Sequence, residues 1–193
     1  MALPILIVDQ QALNPRLGYV FHRRWLQPYE SVVSMLWKFA RMNLLSGFAL
    51  VKQVSPDNVD PYDGVASRDV DVRAMARMLD VTQRSVRIGM KDLSLDRHRY
   101  LRCCPSCMVL GYHSVVHQRE HLNRCPIHGV QLLVACRHCG QPSAYWLDAQ
   151  LLDAPFRCRH CRHYYTTSLY PPSLPWKALS SEGRIAVTRA ATG

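Results

Sequence analysis

No stretch of this 193-residue chain is long and apolar enough to cross a membrane. Met1 to Val8 lacks the basic start and extended apolar run of a secretory signal; its longest apolar stretch is Ile5 to Val8. We therefore expect the chain to meet a reducing cytosol. Cysteine is absent before Cys103 and after Cys161, although the chain holds eight. Disulfides scattered to brace a fold would not cluster in this way, and in a reducing compartment paired cysteines point to metal. Acidic residues are scarce, 14 against 24 lysines and arginines, which leaves a formal net charge of +10. This excess points to a polyanion such as nucleic acid or to a solvated basic surface. Hydrophobic residues are not scarce: at 48 % they exclude global disorder.

The cysteines fall into C-x-x-C and C-x-x-H pairs. The first cluster reads Cys104-Pro105-Ser106-Cys107, then Cys125-Pro126-Ile127-His128. The second reads Cys136-Arg137-His138-Cys139, then Cys158-Arg159-His160-Cys161. Each turn sets two ligands on one side of a tight loop, and two turns close a four-ligand site. The pattern predicts two structural zinc ions, one on Cys104, Cys107, Cys125 and His128, the other on Cys136, Cys139, Cys158 and Cys161. Seven thiolates and two Zn²⁺ ions would bring the formal charge from +10 to about +7. Cys103 is left over, because one tight turn cannot use it together with Cys104, and it reads as a small buried hydrophobe. His138, His160 and His163 lie inside or beside the turns and read as facing solvent or nucleic acid. His113, His117 and His121 read as structural or exposed. With four ligands on each ion no position is open for catalysis, and the zinc-deaminase pattern is not matched around His117 to Glu120. We expect no enzyme and no catalytic residue.

Upstream of the cysteines the periodicity is helical. Val32, Val33, Leu36, Phe39 and Ala40 make one apolar face on a helix starting near Pro28 or Glu30, with Glu30 at the positive end of its dipole. A short helix follows Ser46 through Phe48, Ala49 and Leu50, and Ser55 to Gly64 reads as a loop. Val72, Met75, Ala76 and Leu79 mark another helix, and Thr82 can cap the next. Val72 to Lys91 thus has the rhythm of a helix-turn-helix, with the small Ala76 permitting close approach and Asp80 where glycine is more usual. Its second helix would offer Gln83, Arg84, Ser85, Arg87 and Lys91 to nucleic acid. An ordinary helical hairpin with a basic solvated face fits the same pattern.

The expected architecture is a small α+β protein. Residues 1–100 form a helical domain containing the helix-turn-helix candidate at 72–91. Residues 101–166 hold two tandem zinc-ribbon or zinc-knuckle units. Residues 167–193, with Pro171, Pro172 and Pro175, form a tail expected to be extended or mobile.

Taken in order, Arg102-Cys103-Cys104-Pro105-Ser106-Cys107, Cys125-Pro126-Ile127-His128-Gly129, Leu132-Leu133 and Cys136-Arg137-His138-Cys139-Gly140 resemble the zinc region of the TniQ/TnsD family of transposon target-site-selection proteins. Pro28-Tyr29-Glu30-Ser31-Val32-Val33-Ser34, followed by Phe39-Ala40 and Asn43, is similar to the opening motif of that family. The resemblance covers roughly residues 20 to 166 and is closest to the short form of the family. It departs at Cys103, where an aromatic is common. It implies a non-enzymatic adaptor that links an AAA+ transposition ATPase to target DNA, or to a guide RNA and its RNA-guided effector complex. It also implies a bacterial cytoplasmic location, nucleoid-associated when bound. Dimerisation is left open. The alternative reading is a stand-alone zinc-containing DNA-binding transcriptional regulator.

Overall fold

The computed structural model describes residues 18–90, 97–166 and 176–193. Ile5 to Val8, Lys91 and the three tail prolines lie outside the described residues.

Helix α1 (Val32–Asn43) starts one residue after Ser31, whose hydroxyl accepts the Ser34 N–H at 3.1 Å. The helix buries Val32, Val33, Met35, Leu36, Trp37, Phe39 and Ala40. It stops at Leu44, which turns left-handed at φ 54°. Glu30 therefore lies ahead of the helix, not in its first turn as expected, and its side chain turns inward. Helix α2 (Gly47–Val54) follows Ser46, as the sequence predicts, and the Ser46 side chain caps it by accepting the Ala49 N–H. A Cβ on Gly47 would lie 2.1 Å from the Ala149 carbonyl oxygen, so the missing side chain is what lets α2 approach that residue.

Helix α3 (Val72–Met78) begins where the Asp71 carboxylate accepts the N–H groups of Arg73 and Ala74. It ends in a turn that holds Asp80 at φ 48°, in the left-handed region that a glycine would take without strain. Helix α4 (Gln83–Met90) follows, with the Thr82 hydroxyl accepting the Ser85 N–H at 3.2 Å. Val86 is fully buried, on a helix that packs against α1 and α3. Gly89 brings α4 against the start of α1: a Cβ there would sit 2.6 Å from the Glu30 carbonyl oxygen.

Among the described residues the remaining α-helices are α5 (Pro105–Val109), α6 (Ala149–Leu152) and α7 (Ser181–Thr192). The β component is slighter than an α+β description implies. Among the described residues, extended segments meet only in isolated antiparallel bridges such as Glu30↔Ser114, Val65↔Leu147 and Cys103↔Leu133. The molecule is rich in helix, with two cysteine clusters set beside it.

The boundary expected near residue 100 does not coincide with a break in packing. One apolar core joins Trp37, Phe39, Leu50, Met75, Leu79 and Val86 to Leu147, Leu151 and Phe156 from beyond it. The Trp37 indole N–H donates to the Leu151 carbonyl at 2.8 Å, and α6 packs on α1 and α2. At roughly 1.5–3 kcal/mol for each large side chain fully buried, this seam is a main source of stability. A second core surrounds Cys104, Cys107, Tyr112, Val116 and Cys125 and takes in Leu179, Val187 and Ala191 of the tail. The described part of the tail, expected to be extended, instead carries a helix. Helix α7 docks on the second core, and Arg119 donates to the carbonyls of Ala190 and Ala191 at its C-terminal end.

A buried polar chain joins α1 to the cysteine region. Lys38 and Glu30, 1 % and 0 % exposed, pair at 2.7 Å, and Lys38 also donates to the Trp25 carbonyl. The Ser34 hydroxyl donates to Glu30 and accepts the His113 N–H. The Ser31 hydroxyl meets His113 Nδ1 at 2.7 Å, and His113 Nε2 reaches the Arg102 carbonyl at 2.9 Å. Tyr112 donates its phenol to the Pro28 carbonyl at 2.7 Å. The Pro28–Ser34 stretch is therefore a seat for residues 102–114.

Candidate metal centres

Three of the four ligand turns share one backbone solution. In each, the residue after the second ligand returns its N–H to the carbonyl of the first cysteine: Gly129 to Cys125, Gly140 to Cys136 and Arg162 to Cys158, at 2.8–2.9 Å. Each first cysteine donates its own N–H to the carbonyl five residues on, that of Val130, Gln141 or His163. The fifth residue sits left-handed, at φ 66° for Gly129, 71° for Gly140 and 63° for Arg162. Bridges Arg124↔Gln131, Ala135↔Pro142 and Arg157↔Tyr164 close the three loops. The fourth turn is helical: Cys104 caps α5, Pro105 opens it, and the Cys107 N–H points at the Cys104 sulfur at 3.5 Å.

These turns bring each predicted ligand set together. In the first cluster, His128 Nδ1 lies 3.5, 3.3 and 3.7 Å from the sulfurs of Cys104, Cys107 and Cys125, and Cys107 and Cys125 are 3.6 Å apart. In the second, Cys136–Cys161 and Cys139–Cys158 are separated by 3.6 and 3.7 Å. A tetrahedral ion with bonds of about 2.3 Å to sulfur and 2.0 Å to nitrogen needs edges of about 3.8 Å and 3.5 Å. Both clusters could hold a metal ion at these spacings.

Without a cation the first cluster must share protons. Burial pushes the Cys107 thiol well above its ordinary range. Hydrogen bonds from Cys104, and then Cys107, hold Cys125 far below it. Hydrogen bonding to Cys104, and then to Cys125, lifts His128 to about 9. A divalent ion would take the place of those protons. In the second cluster burial lifts Cys161 to about 12, while the Gln141 backbone hydrogen bond lowers Cys139. Cys103 stays outside both sets. It is 1 % exposed and its thiol is pushed up by burial, consistent with a small core residue.

His117 has a role that spacing alone did not reveal. It is fully buried, and its Nδ1 accepts the Ser114 N–H at 3.3 Å. The ring proton is then on Nε2, which faces the sulfurs of Cys125 at 3.6 Å and Cys107 at 3.9 Å. His117 thus donates to two ligand sulfurs from behind, as outer partners of metal ligands do. The one sequence signal was Ser114 three residues earlier, which forms a capping box with it. His113 is buried and held down to about 3, by desolvation first and then by neighbouring His117. His121 is exposed.

On α4, Gln83, Arg84 and Arg87 are exposed, while Ser85 is half-buried with its hydroxyl 2.9 Å from that of Thr82. The Arg87 guanidinium donates to Gln83 Oε1 at 3.0 Å. Arg73 and Arg77 of α3 join Gln83 around a groove between the two helices. Both occupy polar positions of an amphipathic helix, which the sequence pattern alone does not mark as a site. No helix among the described residues is long and apolar enough to cross a membrane. No protein-family model and no curated protein matches the chain.

Proposed function

We propose that the protein is a non-enzymatic adaptor in transposon target-site selection, stabilised by two structural zinc ions. It would link an AAA+ transposition ATPase to target DNA or to an RNA-guided effector complex. The observation that carries this reading is the polar chain from Glu30 and Ser31 through Ser34 and His113 to Arg102. It gives the residues of the family-like opening motif one physical purpose, which is to fix the first cluster onto α1. A platform held this way presents two partners at a constant separation, as an adaptor must. Thiolate-rich tetrahedral sets of this kind select zinc. The two zinc units would then be knuckle or ribbon modules and α3–α4 a helix-turn-helix.

The test is a pull-down of the tagged, zinc-replete protein with the AAA+ ATPase encoded beside it, with ATP and after nuclease treatment. Retention of the ATPase supports the adaptor, and its loss refutes direct contact. The exposed Gln83, Arg84 and Arg87 favour a second reading, a DNA-binding regulator. Loss of the ATPase with DNA still retained in the sample without nuclease would favour it.

A further inference from the structure

The histidines around the second cluster differ in one respect. His160 is engaged, its Nε2 lying 3.2 Å from the Pro142 carbonyl oxygen. His138 and His163, both exposed, are not hydrogen-bonded through their rings to any described residue; they lie face to face, with centroids 3.3 Å apart and planes 12° from parallel. One ring comes from the turn Cys136–Cys139, the other from the residues just after Cys161. One ring nitrogen of each and the half-buried Cys161 sulfur all lie within 4.8 Å of one another.

Two nitrogens bound at about 2.0–2.1 Å to one tetrahedral ion stand about 3.4 Å apart. One nitrogen of each ring already lies within 4.8 Å of the other, so only a short approach is needed. The third donor is chemically suited as well. Four thiolates on one Zn²⁺ carry a formal charge of about −2, so a peripheral sulfur of that set keeps donor capacity toward a second cation. The donor set of two imidazoles and one thiolate matches a borderline-soft divalent ion, not Ca²⁺ or Mg²⁺. An imidazole lone pair lies in its ring plane, so the near-parallel rings must turn out of the stack to aim at one ion; both rings are exposed, which leaves them room to turn without moving the core.

We propose that His138, His163 and the Cys161 sulfur form a third, weaker position for a zinc-like divalent cation, sharing Cys161 with the second cluster. Three protein ligands leave its fourth position to water, so this ion exchanges readily. It sits one sulfur away from the structural ion, where an incoming or departing zinc would pass.

The experiment adds Co²⁺ to untagged, zinc-loaded protein while bound cobalt and released zinc are counted by elemental analysis after dialysis. The wild type is expected to take up one cobalt beyond two retained zinc ions and to develop a thiolate-to-cobalt charge-transfer band. The double variant His138→Asn/His163→Asn should keep both zinc ions but bind cobalt at least tenfold more weakly and lose the band. The control His160→Asn should behave as wild type. Absence of the extra cobalt overturns the proposal. So does its undiminished uptake by the double variant, or a band that grows only as an equal amount of zinc is released.

Discussion

Lys38 and Glu30 invite a quantitative test. Their contact at 2.7 Å is almost wholly removed from water, and the remaining partners are few. Glu30 also accepts from the Ser34 hydroxyl and the Gln27 N–H, and Lys38 otherwise reaches the Trp25 carbonyl and lies 5.9 Å from the centre of the Trp176 ring. Lys38→Met would leave a carboxylate in the core with two neutral donors. Glu30→Gln would leave an ammonium with one carbonyl, an amide oxygen and a ring face. Removing one member of such a pair typically costs about 3–5 kcal/mol, whereas neutral replacement of both with the volume kept is often close to neutral. We expect each single variant to lose about 3 kcal/mol or more, and Glu30→Gln/Lys38→Met to fall within about 1 kcal/mol of wild type. Urea unfolding of the four proteins at pH 7 and one fixed zinc activity measures this. The same Ser34 hydroxyl holds the His113 N–H, so Lys38→Met should also speed zinc release to a chromogenic chelator. Single variants that each cost less than about 1 kcal/mol and simply add would refute a buried, coupled pair.

Four further outcomes follow from the structure. Chelating the metal should unfold the cysteine region and expose the second core, read as lost near-ultraviolet dichroism and gained dye binding; a zinc-free protein with the native spectrum would contradict it. Arg162 occupies a left-handed position that glycine fills in the other two loops, so Arg162→Gly should relieve about 1–2 kcal/mol of strain against about 0.4–1 kcal/mol of added unfolded-chain entropy, a small net rise in melting temperature. Gly89→Ala should destabilise by several times the usual helix preference and in the opposite sense, because its Cβ would strike the Glu30 carbonyl oxygen; an unchanged melting temperature would count against the α1–α4 contact. His113 is held to about 3 when folded but titrates near 6.5 when unfolded, so its contribution is present above about pH 6.5 and is lost as pH falls toward 3. At about 1.4 kcal/mol per unit, wild type should lose about 2 kcal/mol more than His113→Gln between pH 6.5 and 5, measured on zinc-saturated samples.

What could be read directly from the residues was local. The helix after Ser46, the Thr82 cap, the apolar face of α1 and the ligand turns depend on neighbours within four or five positions. What could not be read depends on partners far away in the chain. Lys38 looks like a solvent-facing residue until Glu30 folds under it. Helix α7 carries only Val187 and Ala191 as turned-in apolar side chains, and Gly183 in its first turn is a weak helix former; its stability comes from the surface that receives it. The passage of α6 into the N-terminal core is likewise invisible to periodicity, since a four-residue helix has no stripe to read. At the clusters the ligands followed from spacing, whereas His117 required knowing which way its ring is turned.

Helix α7 has a consequence for synthesis. His128 completes the first ligand set before Ser181 is made, and the entire second set is translated in between. The surface that receives Leu179, Val187 and Ala191 therefore stays bare until the last of these residues has been added, although every candidate ligand is already in the chain. A chain cut before Ser181 would keep both ligand sets and still lack the cover of the second core.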